Sequence, residues 1–291
     1  GVTGVVDGGA GGFDSLEVDG AGYDSVSSIA AGPDSGTLLL DATPLVYSGL
    51  EPILVTDVPN VVVQGTAGDD ALVLEEEDAD TLRVRSTTGT IESVSFSKAG
   101  LQSLVIDGLG GADSVDIDSI VDLGSADLMV LAEDIGVSGS GEITTLGDVV
   151  FTATAATSFT GASSPDPIDI AARILVEGSM NVGGSLKLEA TVTNHVDLDA
   201  SGASLDVESS SHASARIGPS ASVTAGNLTV SAVTNTDFSV DIVDAAALAR
   251  FLPLWHGVGA SRRGLDALVE AVGSLQGAAL PAIAIETSRE F

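Results

Sequence analysis

Residues 105–118 read Val-Ile-Asp-Gly-Leu-Gly-Gly-Ala-Asp-Ser-Val-Asp-Ile-Asp, two short aliphatic runs on either side of a glycine loop. The loop carries Asp107 and Asp113, and it ends in an aspartate, one small residue and an aliphatic residue. The same form occurs three more times, at residues 7–16, 19–26 and 65–72. Short units that recur along a chain are typical of solenoids, in which each unit stacks on the next.

The aliphatic spacing between residues 101 and 242 extends this pattern. Aliphatic positions return in steps of roughly six to ten residues with glycines between them, which indicates short strands joined by tight turns. No hairpin dipeptide stands between paired strands, since Asp107-Gly108 and its counterparts lie inside longer loops. The spacing therefore favours a solenoid over a sandwich, with three strands in each coil of about 20–25 residues. We predict a mostly β protein with a parallel β-helix (β-solenoid).

The charge of the chain is strongly acidic. Asp and Glu number 42 against 10 Lys and Arg, a formal net charge of −32. Residues 1–150, the part with the Gly-Asp loops, hold 27 of the acids and 3 of the bases. Such a chain repels phosphates and anionic lipid, so we predict no nucleic-acid partner and no membrane insertion, and an affinity for cations. There is no cysteine, which excludes disulfides, and no run of eighteen apolar residues.

Three domains are predicted from changes in composition. Residues 1–35 are Gly-Asp-rich loop repeats, residues 36–243 form the β-solenoid, and residues 244–291 form a helical cap or docking segment. In the last segment, apolar residues between Gly264 and Leu275 recur at helical spacing. A cap is expected because the open end of a solenoid exposes strand edges, and partner binding is the alternative.

An acidic run at residues 75–80 precedes a strand pattern at residues 81–85. In a strand, Arg83 and Arg85 share one face, and Leu82 and Val84 share the other. This pattern indicates a solvated turn followed by a half-buried strand. The alternative is an acidic pocket for a cation.

The Gly-Asp loops resemble haemolysin-type (repeats-in-toxin) calcium-binding repeats, Gly-Gly-x-Gly-x-Asp-x-aliphatic-x. The wider chain, through segments such as Val63-Gln-Gly-Thr-Ala-Gly-Asp-Asp70, resembles large repetitive bacterial surface proteins of the adhesin type. These resemblances imply a right-handed β-solenoid that is extracellular or on the cell surface and binds Ca²⁺. The implied metal ligands are Asp7, Asp14, Asp19, Asp24, Asp70, Asp107 and Asp113. The loops at residues 7–26 approach a tandem pair, whereas those at Asp70 and Asp113 are solitary; the other interpretation is a turn that needs no metal.

Signals for an enzyme are weak. The three histidines, His195, His212 and His256, are far apart in sequence, and no nucleophile elbow or phosphate loop is present. We therefore predict no catalytic residues. The enzyme alternative is a polysaccharide lyase acting on acidic glycans, which needs a basic residue beside a cation-bound acidic groove. Arg83 with Arg85 is its best candidate.

These observations predict a secreted structural or adhesive β-solenoid protein. It would be stabilised by calcium and would associate with like subunits or with extracellular matrix or glycan. Its expected location is extracellular or at the cell surface.

Overall fold

The computed structural model describes residues 4–9, 14–161, 168–199 and 209–241. The described residues form 21 strands and no helix. The first ten strands are β1 Gly4–Asp7, β2 Leu16–Asp19, β3 Ser25–Gly32, β4 Ser35–Leu40, β5 Thr43–Ser48, β6 Ile53–Thr56, β7 Asn60–Gln64, β8 Ala71–Glu76, β9 Thr81–Ser86 and β10 Val94–Ser97. The others are β11 Ser103–Asp107, β12 Ser114–Ile117, β13 Ile120–Asp122, β14 Asp127–Ala132, β15 Asp134–Val137, β16 Glu142–Thr145, β17 Val149–Gly161, β18 Ile168–Val176, β19 Ser179–Asp199, β20 Ser209–Ile217 and β21 Ser222–Asp241.

The predicted parallel β-solenoid is confirmed, with about five turns. On its first face β7, β11, β14 and β17 pair in parallel, and on its second face β8, β12, β15 and β18 do the same. On its third face β13, β16 and β19 stack in parallel. The predicted helical segment at residues 244–291 lies outside the described residues, and the predicted domain boundaries stay a prediction.

The coil length agrees with the expected value of about 20–25 residues in part of the solenoid only. Leu104 pairs with Leu128 one coil later, an offset of 24 residues (128 − 104). Val115 pairs with Ile135, an offset of 20 residues (135 − 115). Other coils are longer: Val61 pairs with Leu104 at an offset of 43 residues (104 − 61), and Ile135 pairs with Ile174 at an offset of 39 residues (174 − 135). Side chains on the same face still meet their counterparts in the next coil, because the paired strands are in register.

The core consists of aliphatic columns that run through the coils. On the first face, Val63, Ile106, Val130 and Phe151 are in register, and all four are fully buried. On the second face, the equivalent column is Leu72, Val115, Ile135 and Ile174. Complete burial of each such side chain contributes about 1.5–3 kcal/mol, so these columns carry much of the driving force for folding.

The N-terminal strands depart from uniform parallel stacking. The neighbours β3–β4, β4–β5, β8–β9 and β9–β10 are antiparallel hairpins, although the sequence shows no hairpin dipeptide between them. At β4–β5 the turn is made by Asp41, which adopts a positive φ of 53°. Aspartate tolerates this conformation because its short side chain can bond to nearby backbone groups. That tolerance explains why no glycine signal marked the turn.

The chain divides into two compact units. The first comprises residues 1–154, 172–191 and 214–232, and the second comprises residues 155–171, 192–213 and 233–291. In the described part of the second unit, Asn194 is fully buried and its amide donates to the Oγ atoms of Ser209 and Ser211 at 2.6 and 2.8 Å. The candidate site described below lies in the first unit.

Candidate metal centre at a carboxylate corner

Two of the predicted loops form stacked corners between the first and second faces of the solenoid. In each, a glycine (Gly65 or Gly108) leads to an aspartate five residues later, Asp70 or Asp113. A Cβ atom on either glycine would lie 2.5 Å from an oxygen of the corresponding carboxylate. Only glycine leaves room for the carboxylate at these two positions. Each carboxylate is folded into its corner, and both aspartates are 2% exposed.

The corner carboxylates accept backbone hydrogen bonds from adjacent coils. The Asp70 N–H donates to Asp113 Oδ1 at 2.8 Å, and the Asp113 N–H donates to Glu133 Oε2 at 2.8 Å. Beside them, the Ala112 N–H donates to Asp69 Oδ1 at 2.8 Å. A hydrogen bond to a charged acceptor is stronger than a neutral one. Asp70, Asp113 and Glu133, which we call the carboxylate ladder, therefore join successive coils through their turns.

The two aspartates of the ladder are not equally satisfied. Asp70 Oδ2 accepts from the N–H of Thr66 at 2.6 Å and from its hydroxyl at 3.0 Å. Leu109 holds the place of Thr66 in the next coil; it has no hydroxyl, and its N–H donates instead to Asp107 Oδ1 at 3.0 Å. As a result, Asp113 Oδ2 is buried without a hydrogen-bond partner, as is Asp70 Oδ1.

Burial and crowding raise the pKa of two ladder carboxyls. Burial raises the pKa of Asp113 to about 6; the hydrogen bond from the Asp70 N–H opposes this shift, and the charges of Glu133, Asp70 and Asp69 add to it. The pKa of Glu133 is also raised, mainly by burial. The charged form of Asp113 is thus disfavoured in the fold unless something positive or a hydrogen-bond donor approaches it.

The raised pKa of Asp113 predicts a pH-dependent stability. A folded pKa above the ordinary value of 3.8 means that the protonated form favours folding fully below about pH 4. That advantage is lost as pH rises through about 6. In metal-free buffer, the stability of the Asp113→Asn variant relative to wild type is expected to increase between pH 4 and pH 7. Thermal unfolding at several pH values measures this difference, and a difference independent of pH would contradict it.

Three of the other predicted ligands make local turns. The side chains of Asp7, Asp19 and Asp107 each accept, through Oδ1, the N–H of the residue two positions later, at 2.9, 3.0 and 3.0 Å. This arrangement is an Asx turn, which needs no ion. These carboxylates therefore already have a structural role.

The remaining predicted ligands lie near the N-terminal hairpins. The Asp24 N–H donates to Asp41 Oδ1 at 2.9 Å, and the Asp24 carbonyl accepts from the Asn60 amide at 2.8 Å. The Asp14 carbonyl accepts from the Glu51 N–H at 2.7 Å. Among the described residues, no group of three or more Asp, Glu or His side chains is placed to hold a metal ion together.

Glu133 was missed by the loop motif, although a signal for it exists. Asp70, Asp113 and Glu133 each stand two residues before an inward aliphatic of the second face. Those aliphatics are Leu72, Val115 and Ile135, which are paired in register. Coil register therefore predicts the ladder better than the glycine pattern does, because Glu133 follows no glycine loop.

The acidic run beside β9 forms ion pairs. As predicted, Leu82 and Val84 are buried, and the residues before β9 form a turn. Glu75 Oε1 accepts from Arg83 Nε and Arg85 Nε, both at 2.9 Å. Burial alone would raise the pKa of Glu75, but hydrogen bonds from the two arginines hold it below its ordinary value.

The same ion pairs bear on the lyase alternative. A hydrogen bond from Arg83 to Glu75 raises the pKa of Arg83, whereas a general base has to release its proton near the working pH. Lys98 lines a cleft of about 520 Å³ with Gln102 and Asp122, but its Nζ is paired with Glu76. Arg83, Arg85 and Lys98, the cations near the acidic run, are therefore all ion-paired with glutamates.

In the described part of the chain, no helix has the length and apolar character needed to cross a membrane. Comparison with curated proteins and with solved structures gave no match. A family model, the winged-helix domain of large helicase-related protein, matches residues 243–288.

This match corrects two predictions. The resemblance to bacterial surface adhesins with haemolysin-type repeats is wrong, because the matching family is a winged-helix domain and not a calcium-binding or adhesin repeat. The physical reason is that a Gly-Asp corner with a following aliphatic is what this solenoid needs to bond its own coils, so the motif does not identify that family. Asp70 and Asp113 illustrate this use.

The prediction of partners without nucleic acid is also wrong, because a helicase-related winged-helix match suggests association with nucleic acid. That prediction relied on the net charge of the whole chain, although the acids are concentrated in residues 1–150. Residues 244–291 hold five acids and four bases, so the acidic excess belongs to the preceding residues. Over residues 243–288, the chain is similar to the winged-helix domain of large helicase-related protein.

Proposed function

We propose that this chain is a structural or adhesive β-solenoid protein that acts outside the cell or at its surface, where it self-associates or binds matrix and is stabilised by calcium. One observation supports the contact role. The outward side of the first face carries a row of apolar side chains in register across successive strands. The row consists of Leu39, Val62, Val105, Met129 and Val150, with Ser27 between the first two.

This row is not needed for the core. The inward neighbours on the same strands, for example Val63, Ile106 and Val130, already fill the interior. Met129 is 38% exposed, and the other apolar members are half-buried by one another. A contiguous apolar row on the surface of an otherwise acidic protein favours contact with another macromolecule.

The contact role predicts that Met129→Lys reduces self-association or matrix binding at least about tenfold, the effect of 1.4 kcal/mol. The lysine would place a charge in the middle of the row at a position that is already exposed, so the fold should tolerate it. Ile120→Lys on the third face is the control, since Ile120 is 55% exposed and lies outside the row. Sedimentation velocity, electron microscopy and matrix binding measure the outcome. A wild-type chain that neither assembles nor binds matrix contradicts the role.

The proposal includes no catalysis. Arg83, Arg85 and Lys98, the cations beside the acidic run, are all paired with glutamates in the described structure. Incubation with a panel of acidic polysaccharides should release no unsaturated product that absorbs in the ultraviolet. Such a product would favour the lyase alternative.

A second candidate function is nucleic-acid binding through residues 243–288, which the winged-helix match favours. Four of the chain's ten bases, including Arg262 and Arg263, lie in residues 244–291. Binding of labelled DNA or RNA by the full chain should weaken as salt increases. It should weaken further in an Arg262→Ala, Arg263→Ala double variant. No retention of either nucleic acid at low salt would contradict this function.

A further inference from the structure

A small cleft opens beside the carboxylate ladder in the first unit. Its volume is about 160 Å³. The polar residues that line it are Asp107, Asp113, Glu133, Thr152 and Thr154. Oxygen is thus the only polar side-chain element in the wall, and oxygen is the ligand atom that hard divalent cations prefer.

The strongest feature of this cleft is an unpartnered oxygen. Asp113 is 2% exposed, and its Oδ1 is fixed by the Asp70 N–H, yet its Oδ2 has no hydrogen-bond partner. A buried carboxylate oxygen without a donor or cation is costly, because its hydration is lost and not replaced. In the preceding coil the hydroxyl and N–H of Thr66 satisfy the equivalent oxygen. At Asp113 no donor takes that place, and Asp113 is one of the residues that line the cleft.

Glu133 supplies a second carboxylate in a fixed position. Its Oε2 accepts the Asp113 N–H at 2.8 Å, so the side chain is held against the same corner. The carboxylate of Asp107 is less available to a cation, because its oxygens accept hydrogen bonds from the Leu109 N–H and, at 3.3 Å, from the Gln64 amide. Two carboxylates are therefore the anionic ligands that the cleft can offer, which agrees with the absence of a three-carboxylate group among the described residues.

We propose that the cleft bounded by Asp113 and Glu133 is a binding site for a divalent cation, and that the cation is Ca²⁺. Two carboxylates balance its charge, and the threonine hydroxyls and water complete a shell of six to eight oxygens. Ca²⁺ accepts such an irregular shell, whereas Mg²⁺ requires near-ideal octahedral geometry and keeps its own water. This inference rests on the proposed calcium stabilisation and narrows it to one site, which includes a glutamate outside the Gly-Asp loops.

The site predicts calcium binding that depends on both coils. Isothermal titration calorimetry of the chelator-treated full chain with CaCl₂ should show a binding event with a Kd of about 10⁻⁴ to 10⁻³ M, the range of extracellular calcium modules. In Asp113→Asn and in Glu133→Gln this event should weaken at least about tenfold, since each loses one of two anionic ligands. Asp118→Asn is the control. Asp118 is an exposed acid five residues after Asp113 in the sequence, and this variant should bind calcium as wild type does. MgCl₂ in place of CaCl₂ should bind more weakly.

Thermal unfolding is the second readout. Millimolar CaCl₂ should raise the Tm of wild type and Asp118→Asn by several degrees and leave that of Asp113→Asn and Glu133→Gln nearly unchanged. Circular dichroism first establishes that each variant is folded, and either ligand variant alone suffices for the comparison. If both ligand variants bind calcium with the same heat as wild type, this site is overturned, but calcium stabilisation at another place in the chain is not. If wild type gives no heat of binding, both the site and the proposed calcium stabilisation are overturned. If wild type binds calcium but neither assembles nor binds matrix, only the contact role is overturned.

Discussion

Replacement of Phe151 by alanine is expected to lower the free energy of unfolding by about 3–5 kcal/mol. Phe151 is fully buried in β17 and lies in register with Val130 of β14. The chain has seven phenylalanines, one tryptophan and two tyrosines among 291 residues, so few large rings fill its interior. Aliphatic columns in neighbouring coils are held by the backbone register and cannot close around the space that the ring leaves. The lost transfer free energy and the cavity therefore add.

Urea unfolding followed by far-ultraviolet circular dichroism measures this loss. Thr152→Ala is the matched control, because Thr152 follows Phe151 in the same strand but lies on the outward side, half-buried. In calcium-free buffer it should change stability by no more than about 0.5 kcal/mol. A Phe151→Ala variant as stable as the control would show that this column does not carry the core.

Replacement of Gly178 by alanine is expected to cost about 1–3 kcal/mol, the usual range for forced overpacking. A Cβ atom there would lie 2.1 Å from the carbonyl oxygen of Gly141 and 2.3 Å from that of Ser138. Both atoms belong to the backbone of the preceding coil, and the Gly141 carbonyl also accepts the Ser179 N–H at 2.9 Å. The methyl group can be accommodated only by separation of two hydrogen-bonded coils.

Gly139 provides the control for this prediction. A Cβ atom at Gly139 would meet nothing within 4 Å, and the position lies in an adjacent turn of the same coil corner. Gly139→Ala should therefore be neutral or slightly stabilising, since it reduces the entropy of the unfolded chain. Equal loss of stability in the two variants, measured by thermal unfolding, would mean that turn flexibility rather than coil contact explains the glycines.

These predictions bear on function because the stacked coils position both the outward apolar row and the carboxylate ladder. The outward apolar row exists only because strands of successive coils are in register, as Val62, Val105 and Met129 show. The carboxylate ladder depends on the same register at the corners. A substitution that loosens the stacking, such as Gly178→Ala, should thus weaken assembly without altering any contact residue.

Individual residues show which features of the fold could be predicted from sequence patterns and which could not. The inward positions Val115, Val121 and Leu128 were predictable, because strand periodicity and turn glycines are local properties. The spacing of 20–25 residues held for some coils and not for others, as the pairing of Val61 with Leu104 shows. The hairpins β3–β4 and β8–β9 were not predictable from the sequence. The loops between their strands contain aspartate or proline, but no dipeptide that is diagnostic of a hairpin. The role of Glu133 was also hidden, since it depends on which residue of the next coil lies beside Asp113.

The amino-acid sequence by itself determined that this is an acidic, mostly β, coil-forming chain with aspartates at its corners, because composition and short-range periodicity specify those features. Tertiary structure decided what each corner aspartate does. Thr66 donates to Oδ2 of Asp70, whereas Oδ2 of Asp113 has no hydrogen-bond partner, and Asp113 lines a cleft together with Glu133. The physical reason is that hydrogen-bond satisfaction and burial depend on neighbours supplied by adjacent coils, about 20 or 40 residues away in sequence, which no local motif records.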